Sequence, residues 1–219
     1  MSDNIIERLR QLDTGTLSDA LDRHQISGAL LGLARLSGHE RVVGRAVTVR
    51  LEEFSGQVSP RHLGTAAVEA SDDTNVIVVA NAGRTHAAAW GGILARAASR
   101  RQVAGVVVDG VCRDLDEIRE FGLPVYARGA VPVSARGRVV EAGWSEPVTL
   151  CGVTVAPGDY VLADASGVVA VPAADVEGVL ETAEQIASLE HQMVTAVESG
   201  TPVSQVMGRN YELMTEKSR

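Results

Sequence analysis

The sequence predicts a mixed α/β fold, with a central parallel β-α-β-α-β core and antiparallel β flanks. Three observations carry this. Valine-rich runs at 75–80 and 104–109, with the extended run "PVYARG" at 124–129, have the β-branched, unalternating character of strands buried on both faces. The segments between them, 85–102 and 114–122, carry helical signals, and strand-helix-strand order implies parallel pairing with right-handed crossovers. After Gly129 the texture changes to short β runs broken by Gly, Pro and Asp, as in antiparallel hairpins.

In chain order, residues 3–13 place Ile5, Ile6, Leu9 and Leu12 on one face of a helix. "TGTLSDALDR" at 14–23 opens with capping residues and continues with Leu17 and Leu21 at helical spacing. "RVVGRAVTVRLEE" at 41–53 alternates and reads as a strand. "GTAAVEAS" at 64–71 is a short helix. "NVIVVANAG" at 75–83 is a strand ending in a small-residue loop. "THAAAWGGILARAASRRQ" at 85–102 is a helix, with a later start just after its glycines as the alternative. "AGVVVDG" at 104–110 is a strand, "DLDEIREFG" at 114–122 a helix stopped by Gly122, and 124–129 a third strand. The amphipathic stretch 173–200 is a long helix. No linker divides the chain, so residues 1–219 read as a single domain.

Composition narrows the function. The 219 residues are 45% hydrophobic and 22% charged, an ordinary globular balance. Lys plus Arg number 20 against 28 Asp plus Glu, and no basic block stands out, which argues against a nucleic-acid surface. With two Phe, three Tyr and two Trp there is no base-stacking platform. No apolar run is long enough to cross a membrane, and the N-terminus has no apolar signal region, so the expected location is cytoplasmic. Cys112 and Cys151 form no metal-ligand spacing and are expected to be reduced thiols. The five histidines form no paired motif and read as structural or surface residues, with His86 notable for lying ahead of Gly91. There is no GxSxG, no GxGxxG and no Walker loop.

Two strand ends carry the candidate chemistry, because ligands of open parallel sheets sit beyond the carboxyl ends of the strands. After the first comes Gly91-Gly92, where the Ile93 and Leu94 amides at a helix start suit a carboxylate or phosphate. The alternative is that two glycines only let the chain pass a neighbouring strand. After the second comes Arg113, a planar donor fork for carboxylate or enolate oxygen, and Asp114, a hard ligand for Mg²⁺ or Mn²⁺. Asp114 followed by Glu117 is also a capping-box spacing, and both readings fit it.

These residues resemble the RraA-like family, which includes class II pyruvate aldolases acting on 4-hydroxy-4-methyl-2-oxoglutarate and 4-carboxy-4-hydroxy-2-oxoadipate. The resemblance runs through "TGTLSDAL" (14–21), "GRAVTVR" (44–50), "WGGILARAASRRQVAGVVVDGVCRDLDEIREFGLPVYARG" (90–129) and "GVTVAPGDYVLADASGVVAVP" (152–172). It implies a swivelling β/β/α-type fold, in homotrimers or dimers of trimers, with the terminal helices 3–23 and 173–200 packing on the domain or on a neighbouring subunit. It also implies a divalent-metal-dependent lyase, using Mg²⁺ or Mn²⁺. Such an enzyme cleaves a C–C bond of a 4-hydroxy-2-oxo acid, or decarboxylates a 2-oxo acid such as oxaloacetate, through a pyruvate enolate. Carried over, Asp114 holds the metal and Arg113 is the catalytic contact to the keto or enolate oxygen. Gly91, Gly92, Ile93 and Leu94 bind the substrate, the amides of the last two taking its carboxylate. Glu190 from a neighbouring subunit is the candidate match for a second metal-site acid.

One departure is plain. The family's aldolases carry an acidic residue twenty-one positions before the arginine, and this chain has Gly92 there. Its loss bears on the metal site and on aldol cleavage more than on decarboxylation, which needs no hydroxyl base. The resemblance also admits a non-catalytic regulator, since some family members inhibit an RNA-degrading enzyme; in those the Arg-Asp pair is degraded, and here it is intact. A third reading is a site turned to another keto or hydroxy acid, for which the unusual segment 51–64 is the candidate carrier.

Overall fold

The computed structural model describes residues 2–57, 59 and 61–208. Two helices, α1 (Ser2–Arg10) and α2 (Thr14–Arg23), precede β1 (Ala34–Ser37) and β2 (Val42–Glu53). The core follows as α3 (Thr65–Ala70), β3 (Asn75–Trp90), α4 (Gly92–Arg100), β4 (Gly105–Cys112), α5 (Leu115–Glu120) and β5 (Val125–Ala130). Next come β6 (Val139–Trp144), β7 (Val148–Leu150), β8 (Val153–Val155), β9 (Tyr160–Ala163) and β10 (Val168–Val171). The last two elements are α6 (Val176–Glu198) and α7 (Val203–Val206).

The main sheet runs β1-β5-β4-β3-β2-β9-β10, with β6 also paired to β2. Strands β2, β3, β4 and β5 are parallel, while β1, β6, β9 and β10 pair antiparallel, so the mixed α/β reading holds.

The valine runs do not alternate with polar residues because both sheet faces are covered. Ile77, Val79, Val106, Val108, Val125 and Ala127 point into a cluster with α3, α4 and α5. Their neighbours Val76, Val78, Val107 and Tyr126 point the other way, onto Leu30, Leu33, the β7–β8 hairpin and the β9–β10 pair. A third cluster joins α1, α2 and α6 to Val43, Leu162, Val169 and Val171, so the terminal helices pack on the chain's own β9–β10 end. Helix α2 is capped by Asp13, which accepts the Thr16 N–H at 2.8 Å, and not by Thr14. Thr14 instead donates to Asp164 through its N–H (2.9 Å) and its hydroxyl (2.7 Å).

Two sequence expectations are corrected. Residues 85–90 are strand, and the helix starts at Gly92, close to the later start given as the alternative. The Ala-rich stretch favours a helix by propensity, but Ala87 to Trp90 are all buried, the Ala88 N–H donates to Val133 O at 2.9 Å, and Trp90 pairs with Cys112. Tertiary pairing overrides propensity here. The other is β1, which the sequence reading missed; it is a four-residue edge strand, half of it only partly buried, with too few positions to show a period.

Candidate active site

The register of β3 against β4 ends with Trp90 opposite Cys112, and the Arg113 N–H donates to Trp90 O at 3.0 Å. The loops leaving both strands therefore open on one place. Gly91-Gly92 leaves the first, and Arg113-Asp114 leaves the second.

The four residues pack on one another. Asp114 Oδ2 accepts the Gly92 N–H at 3.0 Å and lies 3.2 Å from Arg113 Nε. A Cβ on Gly91 would stand 3.1 Å from both Arg113 Nε and Asp114 Oδ2. A Cβ on Gly92 would overlap Glu117 Oε2 and stand 3.3 Å from Asp114 Cβ. Gly91 has extended backbone, so its need for glycine is steric and not conformational. The glycines admit the side chains of 113, 114 and 117, and not a neighbouring strand.

Asp114 does occupy the N-cap position of α5, but its side chain makes no capping bond, and Glu117 pairs with Arg96 (3.1 Å) in place of closing a capping box. The capping-box expectation is thereby overturned: the carboxylate turns across to α4. The Asp114 backbone sits at φ 60°, ψ 34°, the left-handed region that Asp tolerates better than most residues, at a cost of about 1 kcal/mol.

A pocket of about 240 Å³ lies beside this cluster, with Gly91, Gly92, Ile93, Leu94 and Arg113 in its wall. Helix α4 provides no internal acceptor for the Ile93 and Leu94 N–H groups, because they belong to its first turn. Ile93 is 86% exposed, whereas Trp90 is buried beneath. The lining also includes His62, Ser134 and Arg136, which sequence reasoning did not single out. His62 comes from the unusual 51–64 segment. Glu141, buried on β6, anchors that segment by accepting the Gly64 N–H at 2.7 Å and facing Arg61 Nε at 3.8 Å. His86, by contrast, is exposed and does not line the pocket. Glu190 also lies outside it in its own chain, where it accepts the Thr16 hydroxyl at 3.1 Å.

The donor chemistry is thus a cationic and amide-lined pocket with one carboxylate at its rim. Among the described residues no three His, Cys, Asp or Glu side chains converge as a metal cage. Half-exposed Asp114, with Glu117 beside it, suits instead a hard, largely hydrated dication whose shell a substrate completes. Cys112 is fully buried, and burial pushes its thiol up to about 12.

The pocket thus lies at the ends of two parallel strands of a mixed α/β sheet, the place where such sheets commonly take ligands. The model of the RraA-like family, Aldolase/RraA, matches residues 14–170, and the chain belongs to that family. It is 31% identical over 202 residues to Protein DlpA of Legionella pneumophila, covering 92% of this chain; the chain spans 33% of that relative's length. A Deinococcus radiodurans protein provisionally named 4-hydroxy-4-methyl-2-oxoglutarate aldolase is 33% identical over 156 residues, 71% of this chain and 92% of that one. Among solved structures, Streptomyces coelicolor RraAS2, described as an unusual member of the RNase ES inhibitor RraA protein family, superposes with TM-score 0.78 at 28% identity, covering 86% of this chain and 94% of that one.

Proposed function

We propose that this protein is a divalent-metal-dependent lyase of the class II pyruvate-aldolase type. The observation that supports it most is the Arg113–Asp114 pair held against Gly91-Gly92 at two facing strand ends, with a pocket for a small anion alongside. Its substrate is a 4-hydroxy-2-oxo acid cleaved between C3 and C4, or a 2-oxo acid such as oxaloacetate that loses CO₂.

In this reading Asp114 holds the cation, Mg²⁺ or Mn²⁺, with Glu190 of a neighbouring copy as a further contributor. A cation held there would supply Lewis-acid chemistry to the 2-oxo acid. Arg113 donates its guanidinium N–H to the keto oxygen, where negative charge grows as the enolate forms. The Ile93 and Leu94 amides receive the 1-carboxylate at the positive end of α4. His62 and Arg136, also in the pocket lining, suit a second carboxylate. With no side chain at 92, decarboxylation retains more of its machinery than aldol cleavage, which also requires removal of a hydroxyl proton. Residues 1–219 act as one RraA-like domain, working in the cytoplasm as a homo-oligomer, a trimer or a dimer of trimers.

The likeness to RraAS2 favours a second reading, a protein-binding regulator. The two separate in one assay: pyruvate release from 4-hydroxy-2-oxo acids and oxaloacetate by EDTA-stripped protein, with and without Mg²⁺ or Mn²⁺. Metal-dependent release above that of the Asp114→Ala protein supports the lyase; release equal to that variant's supports the regulator.

A further inference from the structure

We infer that Glu117 is the second carboxylate of the cation site, serving from α5 the space that Gly92 leaves open on α4; this rests on the lyase reading above. A Cβ on residue 92 would overlap Glu117 Oε2, and the same Cβ would stand 3.3 Å from Asp114 Cβ. An acidic side chain at 92 and Glu117 in this rotamer would thus claim the same space. Glycine at 92 admits the one that is present.

The carboxylate is also held in place. Arg96 donates to Oε1 through Nη2 at 3.1 Å and Nε at 3.3 Å, and its guanidinium lies 4.7 Å over the Phe121 ring. Both Arg96 bonds go to Oε1, which leaves Oε2 as the oxygen against Gly92. A helix-to-helix ion pair alone would be a weak reason for this arrangement. Both side chains are about half exposed, and exposed pairs contribute little stability. Two carboxylates beside Gly92, Asp114 through its bond to the Gly92 N–H and Glu117 through Oε2, do suit a hydrated dication, which takes one or two carboxylates and keeps waters.

The test measures binding of Mn²⁺ alone to the full-length protein, by the EPR signal of free Mn²⁺, with thermal melting as a folding control. The variants are E117Q, D114N and the double substitution G92D/E117A, in which the shortened side chain at 117 leaves room for the one at 92. We expect E117Q to melt like the wild type but to bind Mn²⁺ about tenfold more weakly, the size of loss seen for groups supporting a metal from its periphery. G92D/E117A, with the acid placed on α4, should recover most of that loss. If E117Q binds as the wild type does while D114N does not, Glu117 is only an Arg96 partner and the inference fails alone. If the wild-type protein itself takes up no Mn²⁺, the metal-dependent reading fails, and the inference with it.

Discussion

Asp114 Oδ2 accepts the Gly92 N–H across the gap between two strand ends, at 3.0 Å, and this bond fixes the carboxylate that the rest of the site is built around. Asn tolerates the left-handed backbone at 114 as well as Asp does, and its amide oxygen can keep the bond to Gly92. Asp114→Asn should therefore change stability by less than about 1 kcal/mol in a denaturant titration. Metal-dependent turnover should fall at least about 100-fold, because only the charge is removed.

Gly91→Ala tests the packing of the pair. The added methyl would meet Arg113 Nε and Asp114 Oδ2 at 3.1 Å each, so both side chains must shift by a few tenths of an ångström. Its backbone is extended and open to any residue, so the melting temperature should move little. The expected result is a drop in kcat of about tenfold or more, in line with the sensitivity of catalysis to small misplacements.

Arg136 and His62 give a specificity prediction. Arg136→Ala should raise KM for a substrate with a distal carboxylate by about tenfold, the value of one lost hydrogen bond to a charged group. A monocarboxylic 4-hydroxy-2-oxo acid should be handled nearly as before. Steady-state kinetics on the two substrates decide it.

Away from the pocket, Asp109 is buried on β4, where Oδ1 accepts Arg128 Nε–H at 2.7 Å and Oδ2 accepts the Cys151 N–H at 3.1 Å. Removing Arg128 leaves that charge without its cation. Arg128→Ala should cost about 3 kcal/mol in chemical unfolding, and Asp109→Asn in the same background should recover part of it.

The two thiols should be unreactive. Burial, followed by the Asp109 charge, pushes Cys151 up to about 11, and burial pushes Cys112 up to about 12. At pH 8 almost none of either is thiolate, so alkylation by iodoacetamide should be slow for native protein and fast in denaturant. The Cys151 rate should climb as pH approaches 11.

The core of the fold was legible because buried parallel strands have a strong signature. The runs at 76–80 and 104–108 are apolar on both faces, and the loops after their strands carry Gly91-Gly92 and Arg113-Asp114. What was hidden depends on contacts distant in sequence. Residues 85–90 look helical until Val133 and Cys112 claim them as strand. His62 and Arg136 reach the pocket from loops with no local pattern, one of them anchored through Glu141. The spacing of Asp114 and Glu117 gave the helix start but not the direction of either carboxylate, since one turns to Gly92 and the other to Arg96.

The most direct measurement of the central claim needs no knowledge of the full substrate. Exchange of the pyruvate methyl protons for deuterium, followed by ¹H NMR in D₂O, reports enolate formation at the site itself. With Mg²⁺ or Mn²⁺ the wild-type protein should accelerate exchange well above the metal alone, Arg113→Lys should slow it about 100-fold, and Asp114→Asn should bring it close to the metal-only rate. Exchange by the wild-type protein no faster than by Asp114→Asn would contradict the account.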